Sequence, residues 1–251
     1  MTYVIGDIHG EYEKLCALLK HIPAAEKIVF LGDYINKGRA AKQTIDFLLD
    51  LAMKRECIFL LGNHEFKLLQ AWEGNQHAID YLEHFGFKET LESYLKKKVS
   101  KKAFKTIMSS GVFKSTLVKH YRFFKRLKQY YYEGDYFIVH AGVPLRKDGE
   151  FSLDSLERML FVREEFINCK RKFKKKTVIF GHTAFKKVFW DGYKLGIDTG
   201  AVYKKKNGYG RLTAVNLDTF ECVDNEGDMN LPVENNISNT VLDRRNWREI
   251  C

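Results

Sequence analysis

Five short apolar runs constrain this 251-residue chain more than any other feature. Tyr3-Val4-Ile5, Ile28-Val29-Phe30-Leu31, Ile58-Phe59-Leu60-Leu61, Tyr136-Phe137-Ile138-Val139 and Val178-Ile179-Phe180 are too short for buried helices. They are rich in β-branched and aromatic residues and do not alternate with polar ones, so they read as strands covered on both faces. Helix-period segments lie between the early runs: 12–21 with Leu15, Leu18 and Leu19, and 42–52 with Ile45, Leu48, Leu49 and Ala52. Alternating strand and helix predicts a layered α/β fold. From Tyr193 onward the texture turns to strands at 194–197, 211–217 and 220–223, either a second sheet or an antiparallel extension. The stretch 66–134 is too long for a plain loop, since connections beyond about 12–15 residues are uncommon in compact domains. Its apolar residues recur at helical spacing (Leu91, Tyr94, Leu95; Phe104, Ile107, Met108; Leu117, Tyr121, Phe124), with Ser100 placed to cap a helix, and predict a helical insertion. One domain over 1–251 is expected, with a polar tail at 227–251 that no periodicity places.

Composition narrows the class. At 45% hydrophobic and 14% aromatic the chain can bury a sizeable core, and 3 Pro with 18 Gly exclude collagen-like and Pro-rich chains. No apolar run approaches the roughly 18–20 residues that span a bilayer. No basic leader or small-residue cleavage site precedes Asp7, so a soluble, cytoplasmic protein is expected. Cys16, Cys57, Cys169, Cys222 and Cys251 are scattered and odd in number, which suits a reducing compartment. The net charge of +10 is concentrated: residues 96–128 hold twelve Lys or Arg and no Asp or Glu, and 170–176 hold six more, leaving −8 for the rest. Solvated helix faces usually mix signs, so two patches of one sign predict an anionic partner or substrate.

Each of the five runs ends in polar residues: Gly6-Asp7-Ile8-His9-Gly10, Gly32-Asp33, Gly62-Asn63-His64-Glu65, His140-Ala141-Gly142 and Gly181-His182-Thr183. Strands of a parallel sheet deliver their C-terminal ends to one edge, where ligands bind. Singly these are weak signals, since Gly-Asp after a strand is a common turn and a lone strand His is commonly a core residue. Five together point to one site. Two Asp, one Asn oxygen and three His form a mixed oxygen and nitrogen set that suits Mn²⁺, Fe²⁺ or Zn²⁺ better than calcium. Asp33, on the second strand, is the natural bridge between two ions.

These motifs, with Gly32-Asp33-x-x-x-x-Gly38, Ile197-Asp198-Thr199-Gly200-Ala201 and Leu212-Thr213-Ala214-Val215, resemble calcineurin-like metallophosphoesterases of the phosphoprotein phosphatase type, in their bacterial form. The likeness covers about residues 1–223. It implies a two-sheet sandwich flanked by helices, with the basic helical insertion outside its motifs. It further implies two divalent ions, manganese first, with iron or zinc as alternatives. One ion would be held by Asp7, His9 and Asp33, the other by Asp33, Asn63, His140 and His182. A metal-bound hydroxide would attack phosphorus directly, with His64 as general acid and Arg163 clamping the phosphate beside Asn63. In two places the chain departs from the family pattern Gly-Asp-x-x-Asp-Arg-Gly. Asn36 stands where an acid would pair with His64, and Lys37 where an arginine would clamp phosphate. Asn36 is expected to accept the imidazole N–H, without the charge a carboxylate supplies.

Three functions follow. A protein phosphatase acting on Ser, Thr or Tyr comes first, and a dinucleoside or nucleoside polyphosphate hydrolase second. A basic RNA- or nucleotide-binding module with a vestigial site, suggested by Tyr121-Arg122-Phe123-Phe124-Lys125-Arg126 and Tyr130-Tyr131-Tyr132, comes last, because the ligand set is intact.

Overall fold

The computed structural model describes residues 1–205 and 208–230. Three parallel strands, β1 (Thr2–Ile5), β2 (Lys27–Phe30) and β3 (Cys57–Phe59), are joined by α1 (Tyr12–Leu19) and α2 (Ala41–Ala52). Five helices follow: α3 (Asn63–Trp72), α4 (Gln76–His84), α5 (Phe87–Leu95), α6 (Lys101–Met108) and α7 (Gly111–Phe124). Then come β4 (Tyr130–Glu133), β5 (Tyr136–Val139), the short helices α8 (Leu156–Phe161) and α9 (Glu164–Ile167), and β6 (Thr177–Phe180). The described chain closes with β7 (Phe189–Trp190), β8 (Lys194–Gly196), β9 (Thr213–Asn216), β10 (Cys222–Asp224) and β11 (Met229–Asn230).

The strands form two mixed sheets, a six-stranded one in the order β11-β10-β9-β1-β2-β3 and a five-stranded one in the order β4-β5-β6-β8-β7. The two-sheet sandwich is therefore present. The five site-bearing runs do not share one sheet. The first three lie in the six-stranded sheet, and the last two, β5 and β6, pair in parallel in the other. Of the later strands, β8 joins the second sheet, while β9 and β10 extend the first in antiparallel fashion.

Period-two alternation explains why these strands are apolar throughout. Val4, Val29 and Leu31 face Ile138, Ile179, Leu195 and Val215 in the core between the sheets. The alternate residues Tyr3, Ile5, Ile28 and Phe30 pack on the helices through Leu15, Leu18, Ile45 and Leu48. In the second sheet Phe137, Val139, Val178 and Phe180 face outward onto Met159, Phe166 and Phe173. These apolar strand residues are thus spent on one core or the other.

The helical stretch differs from the expected 66–134 at both ends. It begins at Asn63, directly after Gly62, and it stops at Phe124. Tyr130–Glu133 is strand β4, whose tyrosines pair antiparallel with β5. Ser100 caps α6 as expected, its hydroxyl accepting the Ala103 N–H at 3.1 Å. Within the expected tail, β11 pairs with β10, and residues from 231 onward, Cys251 included, lie outside the described residues. Among the described residues no helix is long and apolar enough to cross a membrane. Cys16, Cys57, Cys169 and Cys222 are all free thiols.

Candidate metal and phosphate site

The loops that follow β1, β2, β5 and β6, together with the first turn of α3, meet at one end of the sandwich. Asp7, His9, Asp33, Asn63, His64, His140 and His182 are all buried there, each 8% exposed or less. Asp33 stands in the middle. Its Oδ2 is 3.5 Å from His9 Nε2 and 3.7 Å from His64 Nε2, and its Oδ1 is 3.5 Å from His140 Nε2. Two groups able to hold a cation share this residue, His9–Asp33–His64 and Asp33–His140–His182. Asp7 belongs to neither triad. Its Oδ2 accepts the His182 backbone N–H at 3.0 Å, and its Oδ1 is buried with no hydrogen-bond partner among the described residues.

Whether these residues fit metal ions is decided by their donors. His9 Nδ1 donates to Ile35 O and His140 Nδ1 to Leu31 O, both at 2.9 Å, which fixes each ring so that the Nε2 lone pair points into the site. Burial lowers the pKa of His9, His140 and His182, keeping the rings neutral. His140 Nε2 then lies 2.9 Å from Asn63 Oδ1, one acceptor facing another. His182 Nδ1 is 2.7 Å from the same oxygen, and its Nε2 has no partner. Burial, then the charges of Asp198 and Asp33, raise the Asp7 carboxyl well above the ordinary range. Unpartnered lone pairs and crowded carboxylates are what divalent ions would neutralise, so the donor set fits them. Lys37 supplies a cation at the first triad, its Nζ 3.0 Å from His9 Nε2.

The backbone is bent to make this cluster. Of the nine described non-glycine residues with positive φ, five are His9, Asp33, Asn36, Lys37 and His182. Each such position costs about 1–3 kcal/mol and persists where the surroundings enforce it. Glycine is required at two of the approaches. A Cβ on Gly62 would strike Asp33 Oδ1, and one on Gly181 would strike Asp7 Oδ1.

His64 meets Asn36 as the sequence led one to expect, at 2.5 Å, but with the opposite polarity. The amide nitrogen, not the oxygen, faces His64 Nδ1. Thr90 on α5 explains this. Its hydroxyl accepts the Asn36 backbone N–H at 2.9 Å and turns its own hydrogen toward Asn36 Oδ1 at 3.4 Å. With Nδ1 accepting, the His64 hydrogen sits on Nε2, toward Asp33, and burial lowers the imidazole pKa to about 3. Arg163, at the break between α8 and α9, donates through Nη1 to His182 O at 2.9 Å and Thr183 Oγ1 at 3.0 Å. It therefore braces the His182 loop.

Four further residues take part to which the sequence assigned no role, although Glu65 and Asp198 stand inside motifs already quoted. The Glu65 carboxylate accepts the backbone N–H groups of Asp33, Tyr34 and Ile35 at 2.9–3.2 Å and shapes the Asp33 loop. Asp198 follows β8, is buried, accepts the Gly200 N–H at 2.9 Å and adds its charge to that felt by Asp7, and its strand-end position was the available signal. The Tyr81 hydroxyl accepts from Asn63 Nδ2 at 2.7 Å, which turns Asn63 Oδ1 to the histidines. Tyr81 and Thr90 reach the site from helices distant in sequence, and no local pattern marks them.

A sandwich of this topology with this ligand constellation defines a metallophosphoesterase. The calcineurin-like phosphoesterase family model matches residues 2–206, and the chain belongs to that family. Over 244 residues it is 24% identical to the asymmetrical bis(5'-nucleosyl)-tetraphosphatase PrpE of Anoxybacillus flavithermus, covering 88% of this chain and 91% of the relative. A 75-residue stretch, 29% of this chain, is 35% identical to the symmetrical bis(5'-nucleosyl)-tetraphosphatase of Pseudomonas putida strain W619 and spans 25% of that relative's length. Among solved structures, a protein serine/threonine phosphatase from Saccharomyces cerevisiae superposes with a TM-score of 0.55 at 14% identity, covering 94% of this chain and 81% of that one. That likeness speaks to the fold.

Proposed function

We propose that this phosphoesterase hydrolyses nucleoside polyphosphates, with the Asn36–His64 contact as the carrying observation. Two divalent ions, when bound, would supply Lewis-acid activation of water and of the phosphoryl oxygens. Asp7, His9 and Asp33 would hold one, and Asp33, Asn63, His140 and His182 the other. Lys37 and Arg163 would bind the phosphate with Asn63. His64 would offer its Nε2–H to the leaving oxygen. An amide N–H against Nδ1 supports a neutral imidazole and gives an imidazolium nothing to lean on, so full proton transfer is disfavoured. Leaving groups that depart as stable anions need no such proton. Phosphoanhydrides and aryl phosphates are of that kind, and serine and threonine alkoxides are not. The relative aligned over most of both chains, named as a tetraphosphatase, favours the anhydride. The protein-phosphatase reading keeps phosphotyrosine as its compatible substrate.

The test compares kcat/KM of the Mn²⁺-loaded protein on diadenosine tetraphosphate, ATP, and phosphotyrosine and phosphoserine versions of one peptide. The anhydrides should lead and phosphoserine should trail by about 10² or more, the usual worth of general-acid assistance. Asn36→Asp should accelerate phosphoserine selectively. A wild type that prefers phosphoserine overturns the reading.

A further inference from the structure

Aromatic side chains wall one side of the metal site, and phosphate chemistry does not need them. Tyr81 on α4 lies 5.8 Å from the His64 ring, and Phe85, which ends α4, lies 6.4 Å from it. Phe161, at the end of α8, lies 6.1 Å from the His182 ring. Tyr81 joins the two flanks, with ring centroids 4.3 Å from Phe85 and 5.9 Å from Phe161. The row thus runs from the imidazole that meets the leaving group to a ligand histidine. A shield alone would be buried like Phe87 and Phe104, yet Tyr81, Phe85 and Phe161 are only half-buried.

The wall is pre-formed. Lys67 Nζ lies 5.9 Å from the Tyr81 ring centroid and 5.3 Å from that of Phe161. Hydrogen bonds to Gln70 at 2.9 Å and Glu157 at 2.7 Å hold the ammonium there. Little side-chain freedom remains for a ligand to freeze, which favours binding. Half-exposed rings beside a polyphosphate site suit a ligand that carries its own flat π-system next to its phosphates.

We infer that Phe85 and Phe161, backed by Tyr81, form a stacking platform for the nucleobase of a nucleoside phosphate whose phosphate lies at the metal site. This rests on the nucleoside polyphosphate reading for its substrate class but is tested without turnover. Isothermal titration of the Mn²⁺-loaded protein compares AMP with ribose 5-phosphate, which keeps the phosphate and sugar and lacks the base. AMP should bind about 10-fold tighter or more, as expected for one base stacked on aromatic side chains. Phe85→Leu and Phe161→Leu, which keep apolar volume without the ring, should each shrink that ratio several-fold and leave the ribose 5-phosphate Kd within two-fold. Phe85→Tyr should retain the ratio. Equal affinities in the wild type, or an equal loss of both ligands in both leucine variants, overturn the platform. AMP preference without hydrolysis of any nucleoside polyphosphate would keep the platform and remove the polyphosphatase reading.

Discussion

Asp33 concentrates the consequences of single side chains. It is shared by both groups able to hold a cation, its Oδ1 accepts the His64 backbone N–H at 3.2 Å, and its own N–H is tied to Glu65. Asp33→Asn keeps the shape and the Oδ1 acceptor but removes the charge that both ions would share. Turnover should fall by at least about 10²-fold, the scale of losing one preorganised electrostatic partner. Metal content per chain should drop while the circular dichroism spectrum stays unchanged. Near-normal turnover with two ions bound would contradict the shared-carboxylate arrangement. At this scale the meeting of the strand-end residues was legible because each stands just after an apolar run with a glycine close beside it. The polarity of Asn36 was not legible. It is set by Thr90, which only tertiary packing brings within reach.

Among the elements, α2 and α7 are held together by a polar clamp at Asp46. This side chain accepts from Lys42 at 2.6 Å on its own helix, and from Lys119 at 2.8 Å and His120 at 3.0 Å on α7. His120 Nδ1 in turn accepts from the Tyr94 hydroxyl of α5 at 2.7 Å. Burial works to raise the Asp46 carboxyl, but the bonds from Lys119, Lys42 and His120 outweigh it and hold its pKa below the ordinary value. A depressed carboxyl stabilises the fold above the unfolded pKa of about 4, and the stabilisation is lost as pH falls below it. Asp46→Asn should lower Tm by about 2–4 °C at pH 7, the effect of about 1 kcal/mol in a chain of this size. The gap should begin to narrow below about pH 4 and keep narrowing as the pH falls toward the depressed folded-state pKa. A gap that is constant with pH would mean the loss is steric. Helix existence was legible from spacing, as for α6 and α7, whereas the ends were not. Tyr130-Tyr131-Tyr132 continues the aromatic texture of α7, and only pairing with β5 makes it a strand.

For the molecule as a whole, charge is the feature that sequence located and structure qualified. All twelve basic side chains of residues 96–128 are exposed, and among the described residues only Lys98, Lys105 and Lys119 form ion pairs. Replacing Lys101, Lys102 and Lys105 with glutamine should raise KM for a polyanionic substrate several-fold and flatten its salt dependence, because exposed charges are screened beyond about 8–10 Å at physiological ionic strength. Turnover of a small aryl phosphate should stay the same, and equal loss on both substrates would count against electrostatic recruitment. The pairing of β1 with β9 reaches further. Tyr3, Val4 and Ile5 find their partners at Asn216, Val215 and Ala214, near the other end of the described chain. During synthesis the strand that leads into Asp7 and His9 is made long before β9, and until β9 follows its second edge stays uncovered. Loop closure over that span is slow, and an open strand edge is a template for mispairing. A stalled or shortened nascent chain therefore leaves that edge of β1 open, and the interval between synthesis of β1 and β9 is when it is exposed to mispairing.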